Sequence, residues 1–251
     1  VRRLLPITDP PGATVDPVDE VWARDRTPPP GRPWVLANMI SSADGGASLG
    51  GTSGALGGEA DKAMFAALRE VPDVILVAAG TVRAEAYRPI RPKPEVRERR
   101  RAHGRAEVAR LAIVTSRIDL DLADPLFTDT EVPPLVITGA GAPPERAAAA
   151  EAAGAELLVA GDARVDLPAA VVELGRRGAS TVLCEGGPSL LGQLVAADLL
   201  DELDLTLAPS VVGGDAPRIA HGPGSPELRS LALHAACEQD GVLLLTYLRT
   251  R

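Results

Sequence analysis

The sequence predicts an α/β fold with a mostly parallel central sheet flanked by helices and an antiparallel hairpin at the C-terminal end. Three observations carry that expectation. Short apolar runs such as 74–79 and 181–184 read as strands buried on both faces. Helical patterns separate successive runs, as βαβ units require. The last two strand patterns are divided only by Gln239-Asp240-Gly241, which is hairpin turn chemistry.

Taken in order, residues 1–32 hold seven prolines and no sustained periodicity, so they read as an extended or loop-like arm. A single domain is expected over 33–251. Residues 34–40 form a strand pattern, followed by a glycine-rich loop over 41–58 and helical spacing over 59–70. A buried strand over 74–79 ends at Gly80. The stretch 88–110 carries nine Lys or Arg against three acids and reads as a solvated basic face. Strands over 111–115 and 135–138, a helix over 143–153, a strand over 156–160 and a helix over 168–177 lead to the strand at 181–184. Strand patterns over 203–208, 228–235 and 242–248 complete the chain.

At 251 residues and 45% apolar content the chain can bury a sizeable core. Its net charge of −8 argues against general nucleic-acid binding, which needs basic surface. No apolar run reaches the length of a membrane span. The N-terminus lacks a basic-then-apolar signal pattern, so a cytoplasmic location is expected. Cys184 and Cys237 read as two buried free thiols. The three histidines form no ligand-spaced pair and the zinc-deaminase pattern is absent, so no metal is expected. Aromatic residues are 2% of the chain, which leaves the core to Leu, Val, Ile and Ala.

Four clusters are candidates for chemistry. Ser41-Ser42-Ala43-Asp44-Gly45-Gly46 follows a strand and leads to Ser53, which suits either a ligand loop or a turn capped by Asp44. Gly80-Thr81-Val82-Arg83-Ala84-Glu85 also follows a strand. There Thr81 or its neighbour can cap a short helix, with Glu85 one turn on. Arg69 closes a helix, where a cation is favoured in any case. Arg88 and Arg91 follow closely enough on the second cluster to reach a phosphate. The fourth cluster is Glu185-Gly186-Gly187-Pro188-Ser189-Leu190, a strand end, a glycine turn and a helix start, which together aim backbone N–H groups at an anion. It is neither a Walker A loop nor G-x-G-x-x-G. Three strand ends with polar or glycine-rich loops suggest one extended pocket for a long phosphorylated ligand such as a dinucleotide.

These motifs, with Leu199-Leu200-Asp201-Glu202-Leu203 and Ala208-Pro209-Ser210-Val211-Val212-Gly213-Gly214, resemble the pyrimidine reductases of riboflavin biosynthesis from about Arg32 to the C-terminus. The resemblance implies a dihydrofolate-reductase-like fold and NADPH as hydride donor. It implies cofactor contacts at Met39, Thr81, Glu85 and Ser116 and at Gly186, Gly187, Pro188, Ser189 and Leu190. Glu85 is the candidate catalytic residue. Substrate contacts are implied at Ser53, Arg69, Arg88 and Glu185, with Arg69 and Arg88 or Arg91 near a ribose phosphate.

The implied reaction is hydride transfer to C1′ of a ribosylaminopyrimidine phosphate, with no deaminase part. Glu85 stands where related chains often carry Asp, and Ala55 where they often carry an aromatic. A homodimer is expected from the apolar late strands and the family pattern. Two alternatives stay open: reduction of another heterocycle such as dihydrofolate, and an NADPH-binding protein without turnover.

Overall fold

The computed structural model describes residues 1–6, 12–222 and 227–250. In chain order its first elements are β1 (Arg2–Leu5), α1 (Pro17–Trp22), β2 (Trp34–Ser42), α2 (Glu59–Leu68), β3 (Val74–Ala78) and α3 (Ala79–Ala84). The middle ones are α4 (Pro94–Ala102), β4 (Arg110–Val114), α5 (Pro125–Thr128), β5 (Leu135–Thr138), α6 (Pro144–Ala152) and β6 (Glu156–Val159). The last are α7 (Leu167–Arg176), β7 (Thr181–Cys184), α8 (Pro188–Ala196), β8 (Glu202–Ala208), β9 (Leu231–Gln239) and β10 (Val242–Arg249). Contacts gather the chain into two compact units. One is Val1–Arg26 with Val35–Val71 and Leu183–Arg251; the other is Thr27–Trp34 with Pro72–Val182.

In the first unit the strands run in the order β1-β9-β10-β8-β2. The pairs β1–β9, β9–β10 and β10–β8 are antiparallel, and β8–β2 is parallel. Along β10 the residues Val242, Leu244 and Thr246 are buried while those between them are half-buried, the period of two that a pleated strand imposes. Asp240 and Gly241 both take positive φ, 53° and 81°, which turns β9 into β10 in two residues.

In the second unit β3, β4, β5 and β6 are successive parallel neighbours. Every residue of β5 is buried and only the last of β3 is not, so both lack alternation, as parallel strands enclosed on both faces do. Asp166 starts α7 by accepting the Ala169 amide, with Pro168 in the first turn. The fold class is therefore the expected one, with antiparallel pairing that extends beyond the hairpin to β8 and β1.

Four local expectations are corrected. The proline-rich arm contains β1 and α1: Arg3 pairs with Cys237, a partner no local pattern could announce, and α1 spans fewer than two turns. The basic stretch is not only a solvated face. Its helix α4 buries Arg100, whose guanidinium donates to the carbonyls of Pro72 (2.8 Å) and Ala106 (2.7 Å). The late strand β9 begins at Leu231 rather than at 228 and continues to Gln239, because its register is set by β10. Short α5, opened by Asp124 and Pro125, lies where no helix was expected.

A buried ionic cluster ties the segment after α1 to β8. Arg24 donates to Glu202 (3.0 Å) and Asp204 (2.6 Å), while Arg26 grips Glu202 through Nε and Nη2, both at 2.8 Å. Thr246 on β10 donates to Asp204 at 2.8 Å. Burial, reinforced by the charge of Glu202, pushes Asp204 up to about 6. Burial works the same way on Glu202, but Arg26 and then Arg24 hold its carboxyl below the usual range. Breaking one member of such a cluster strands the others without a counter-charge. Glu202→Ala is therefore expected to lower stability by about 3–5 kcal/mol in urea unfolding; a loss below about 1 kcal/mol would show that water reaches the cluster.

Candidate active site

The glycine turn after β7 is the backbone centre of the first unit's site. Gly186 has φ +87°, a left-handed conformation that side chains with a Cβ resist. Its missing Cβ would lie 3.6 Å from Sδ and Cε of Met39, so Met39 packs on the turn. The peptide between Gly186 and Gly187 is cis. Gly187 is the N-cap of α8 and supplies no side chain, and Pro188 occupies the first turn without an N–H.

The carbonyl of Gly187 takes the amides of Leu190 (2.9 Å) and Leu191 (3.0 Å). Among the described residues, the amides of Gly187 and Ser189 have no hydrogen-bond partner. The turn thus offers two N–H donors at a helix start. That fits one oxygen-rich phosphate group, fewer donors than a full phosphate-cradling loop presents.

A charged pair stands directly before this turn. Arg69, the C-cap of α2, donates through Nε to Oε1 of Glu185 and through Nη2 to Oε2, each at 2.6 Å. The Glu185 side chain is 1% exposed and that of Arg69 31%, so the carboxylate lies within the protein and the guanidinium reaches its surface. The guanidinium carbon also sits 4.4 Å from the centre of the Phe65 ring, one turn back on α2. Two residues expected at the substrate are thereby brought together. The cation expected near a phosphate is matched by a buried carboxylate.

The loop after β2 is shaped by Asp44. Its carboxylate accepts the Ser42 hydroxyl (2.5 Å) and the amides of Val212 (3.1 Å) and Gly213 (2.7 Å). Those bonds, led by the Ser42 hydroxyl, hold the Asp44 carboxyl down to about 2. Ser42 Oγ also takes the Gly46 amide at 2.9 Å. Asp44 therefore fastens its loop to a second loop far along the sequence. Ser53 lies half-buried further along the same loop, with its carbonyl accepting the Leu56 amide. His221, which sequence reading left among scattered histidines, donates its amide to Pro188 O (3.1 Å) and has Nε2 3.4 Å from Ser189 Oγ. No local sequence pattern linked it to that helix start.

In the second unit the register Ala78↔Val114 brings the start of α3 and the residues after β4 to one end of two parallel strands. Thr81, Glu85 and Ser116 all belong to that end. Thr81 does not cap the helix: Ala78 is the N-cap, and Thr81 lies within α3, where its carbonyl accepts the Glu85 amide (2.9 Å). The helix begins as the strand ends, which leaves no residue between them for a side-chain cap. Thr115 Oγ1 accepts the amides of Arg117 (3.3 Å) and Ile118 (3.0 Å), and this folds the turn carrying Ser116. Arg91 forms an exposed pair with Asp129 (2.6 Å), whereas Arg88 is exposed and has no partner among the described residues.

Strand-end loops on an α/β sheet, a glycine–helix turn and a buried charged pair are the features of a small-molecule binding site of an α/β enzyme. Comparison with known proteins gives the family. The chain belongs to the RibD C-terminal domain family, which it matches over residues 33–243. It is 32% identical over 76% of its length to a 2,5-diamino-6-ribosylamino-4(3H)-pyrimidinone 5′-phosphate reductase of Archaeoglobus fulgidus, covering 87% of that protein. It is 33% identical over 80% of its length to a protein of the same name from Aquifex aeolicus, covering 88% of it.

Among solved structures, a pyrimidine reductase-like protein of Corynebacterium diphtheriae superposes with a TM-score of 0.84 at 26% identity. That match covers 94% of this chain and 100% of the other. The chain is an oxidoreductase of the pyrimidine-reductase type.

The positive φ of Gly186 yields a direct expectation. Gly186→Ala is expected to cost about 1–2 kcal/mol of stability in thermal unfolding, the penalty for a Cβ in left-handed backbone. A neutral substitution would show that the turn has relaxed out of this conformation.

Proposed function

We propose that the chain is an NADPH-dependent reductase acting on a ribosylaminopyrimidine 5′-phosphate, with hydride delivered to C1′ of the ribosylamino group. The observation that carries the reading is the Arg69–Glu185 pair set against the Gly186–Pro188 turn, inside the region that matches the reductase family.

The residues present fit a dinucleotide. Among the described residues the amides of Gly187 and Ser189 lack partners at a helix start, and the glycine backbone of the turn lets a phosphate approach closely. Met39, Gly186, Gly187, Pro188, Ser189 and Leu190 would hold the cofactor in the first unit. Thr81, Glu85 and Ser116 are proposed as cofactor contacts in the second, with Glu85 as the proposed catalytic residue. When bound, the nicotinamide supplies the hydride.

The chain's own residues contribute position and a dry environment. Glu185 is an acceptor for hydroxyl or amino groups of the substrate, and Arg69 fixes its orientation. Arg69, whose guanidinium reaches the surface, is a proposed contact for a polar part of the same substrate. Arg88, exposed and unpaired among the described residues, is the proposed phosphate anchor. Ser53 is a further proposed substrate contact.

NADPH oxidation by the purified protein, followed with the pyrimidine phosphate and with dihydrofolate side by side, tests the reading. Turnover of the pyrimidine alone is expected; turnover of dihydrofolate alone contradicts it. Arg88→Ala is expected to raise the pyrimidine KM by about 10- to 100-fold, the loss of one charge-assisted contact. NADPH affinity should stay within about two-fold, and an unchanged KM would remove Arg88 from the site.

A further inference from the structure

The N-terminal arm lies outside residues 33–243, which match the family, yet its helix α1 is fastened at both ends. Glu20 pairs with Arg3 of β1. Just past the C-terminal end, Arg24 and Arg26 bind Glu202 and Asp204 on β8. Arg26 Nη1 also donates to the carbonyl of buried Val21 at 2.7 Å. A helix of six residues has too few internal hydrogen bonds to stand alone, so these anchors decide where α1 lies.

Helix α1 packs on α2, and Trp22 at its end reaches the end of α2. The indole Nε1 donates to Oε2 of Glu70 at 3.1 Å. Glu70 directly follows Arg69, the C-cap of α2, and is 6% exposed. A carboxylate just past a helix C-terminus is opposed by the helix dipole, and a buried one also needs its solvation replaced. Its place is therefore set by its partners, of which the indole is one. The two residues that end α2 are thus held from two directions. Arg69 is held by Glu185, directly after β7, and Glu70 by Trp22 on α1. The bonds to Glu185 orient the Arg69 guanidinium, while the bond to Glu70 fixes the helix end from which the Arg69 side chain extends.

We infer that Trp22 is a positioning residue for the substrate: through Glu70 it holds the end of α2 where the Arg69 guanidinium meets the pyrimidine phosphate. The inference rests on the proposed contact between Arg69 and substrate, and it gives the arm a part in that contact. Trp22 and Glu70 act through Arg69 and touch neither substrate nor cofactor. Without the indole N–H the buried carboxylate loses a donor, and the helix end shifts to recover one. A misplacement of about 1 Å at a substrate-positioning group costs up to about 100-fold.

The test is steady-state kinetics with NADPH and 2,5-diamino-6-ribosylamino-4(3H)-pyrimidinone 5′-phosphate. Trp22→Phe keeps an aromatic ring and removes the N–H. It is expected to raise the pyrimidine KM by about 5- to 30-fold, with NADPH affinity within about two-fold of wild type. Glu70→Ala breaks the same bond from the other side and should raise KM at least as much. Neither reading depends on the folded fraction of the preparation, because KM does not. In an Arg69→Ala background, Trp22→Phe is expected to change kcat/KM by less than about two-fold, since the residue it acts through is gone.

A Trp22→Phe KM equal to that of wild type, beside a raised KM in Arg69→Ala, overturns the role of Trp22 and leaves the substrate contact standing. The same loss of kcat/KM in both backgrounds also overturns it, because a purely structural role acts whether or not Arg69 is present. An unchanged KM in Arg69→Ala overturns the substrate contact itself, and the role of Trp22 with it.

Discussion

A carboxylate cannot be taken out of water unless something replaces its solvation, and in this protein Arg69 does so for Glu185. Two parallel hydrogen bonds of 2.6 Å neutralise a side chain that is almost wholly enclosed. The bond geometry admits little slack, because a planar fork meets a planar carboxylate in one orientation. Its two ends come from the C-cap of α2 and the end of β7, so the pair sets where the helix stops relative to the strand end. The rest of the first unit's site follows from that. The glycine turn begins at the next residue, and Phe65 is held flat under the guanidinium.

The loops around the pair are fastened by bonds of the same charge-assisted kind. Asp44 takes a hydroxyl and two amides, which joins two glycine-rich loops that would otherwise each carry high conformational entropy. His221 meets the first turn of α8 from a distant segment, and Gly192 makes room for it: a Cβ there would lie 2.2 Å from the His221 carbonyl. Binding elements on loops lose less on capturing a ligand when those loops are already ordered. The buried cluster of Arg24, Arg26, Glu202 and Asp204 does the same for the N-terminal arm.

Strand–turn–helix units were legible in the sequence wherever their signals were local. The run at 181–184, the two glycines and Pro188 gave β7, the turn and α8 without ambiguity, and Arg69 fell at the helix end where charge placement suggested. Signals that depend on distant partners were not legible. Strand β1 is four residues long and exists through pairing with β9, over two hundred residues away. Arg100 looks like any member of a basic run, and only the carbonyls of Pro72 and Ala106 show why it is buried. Asp44 read as a local turn residue, yet two of its three partners lie beyond residue 210. The requirement for glycine fell on Gly186 by its φ, a distinction that two adjacent glycines cannot reveal.

A double-mutant cycle on Arg69 and Glu185 bears most directly on the pair as the organising interaction. Arg69→Ala, Glu185→Ala and the double variant would be compared with wild type by kcat/KM on the pyrimidine phosphate. Either single change strands a charge, and the second removes it, so the double variant is expected to be little worse than either single one, with a coupling of about 2–5 kcal/mol. Additive losses would contradict the account, because they would mean that the two side chains meet the substrate independently.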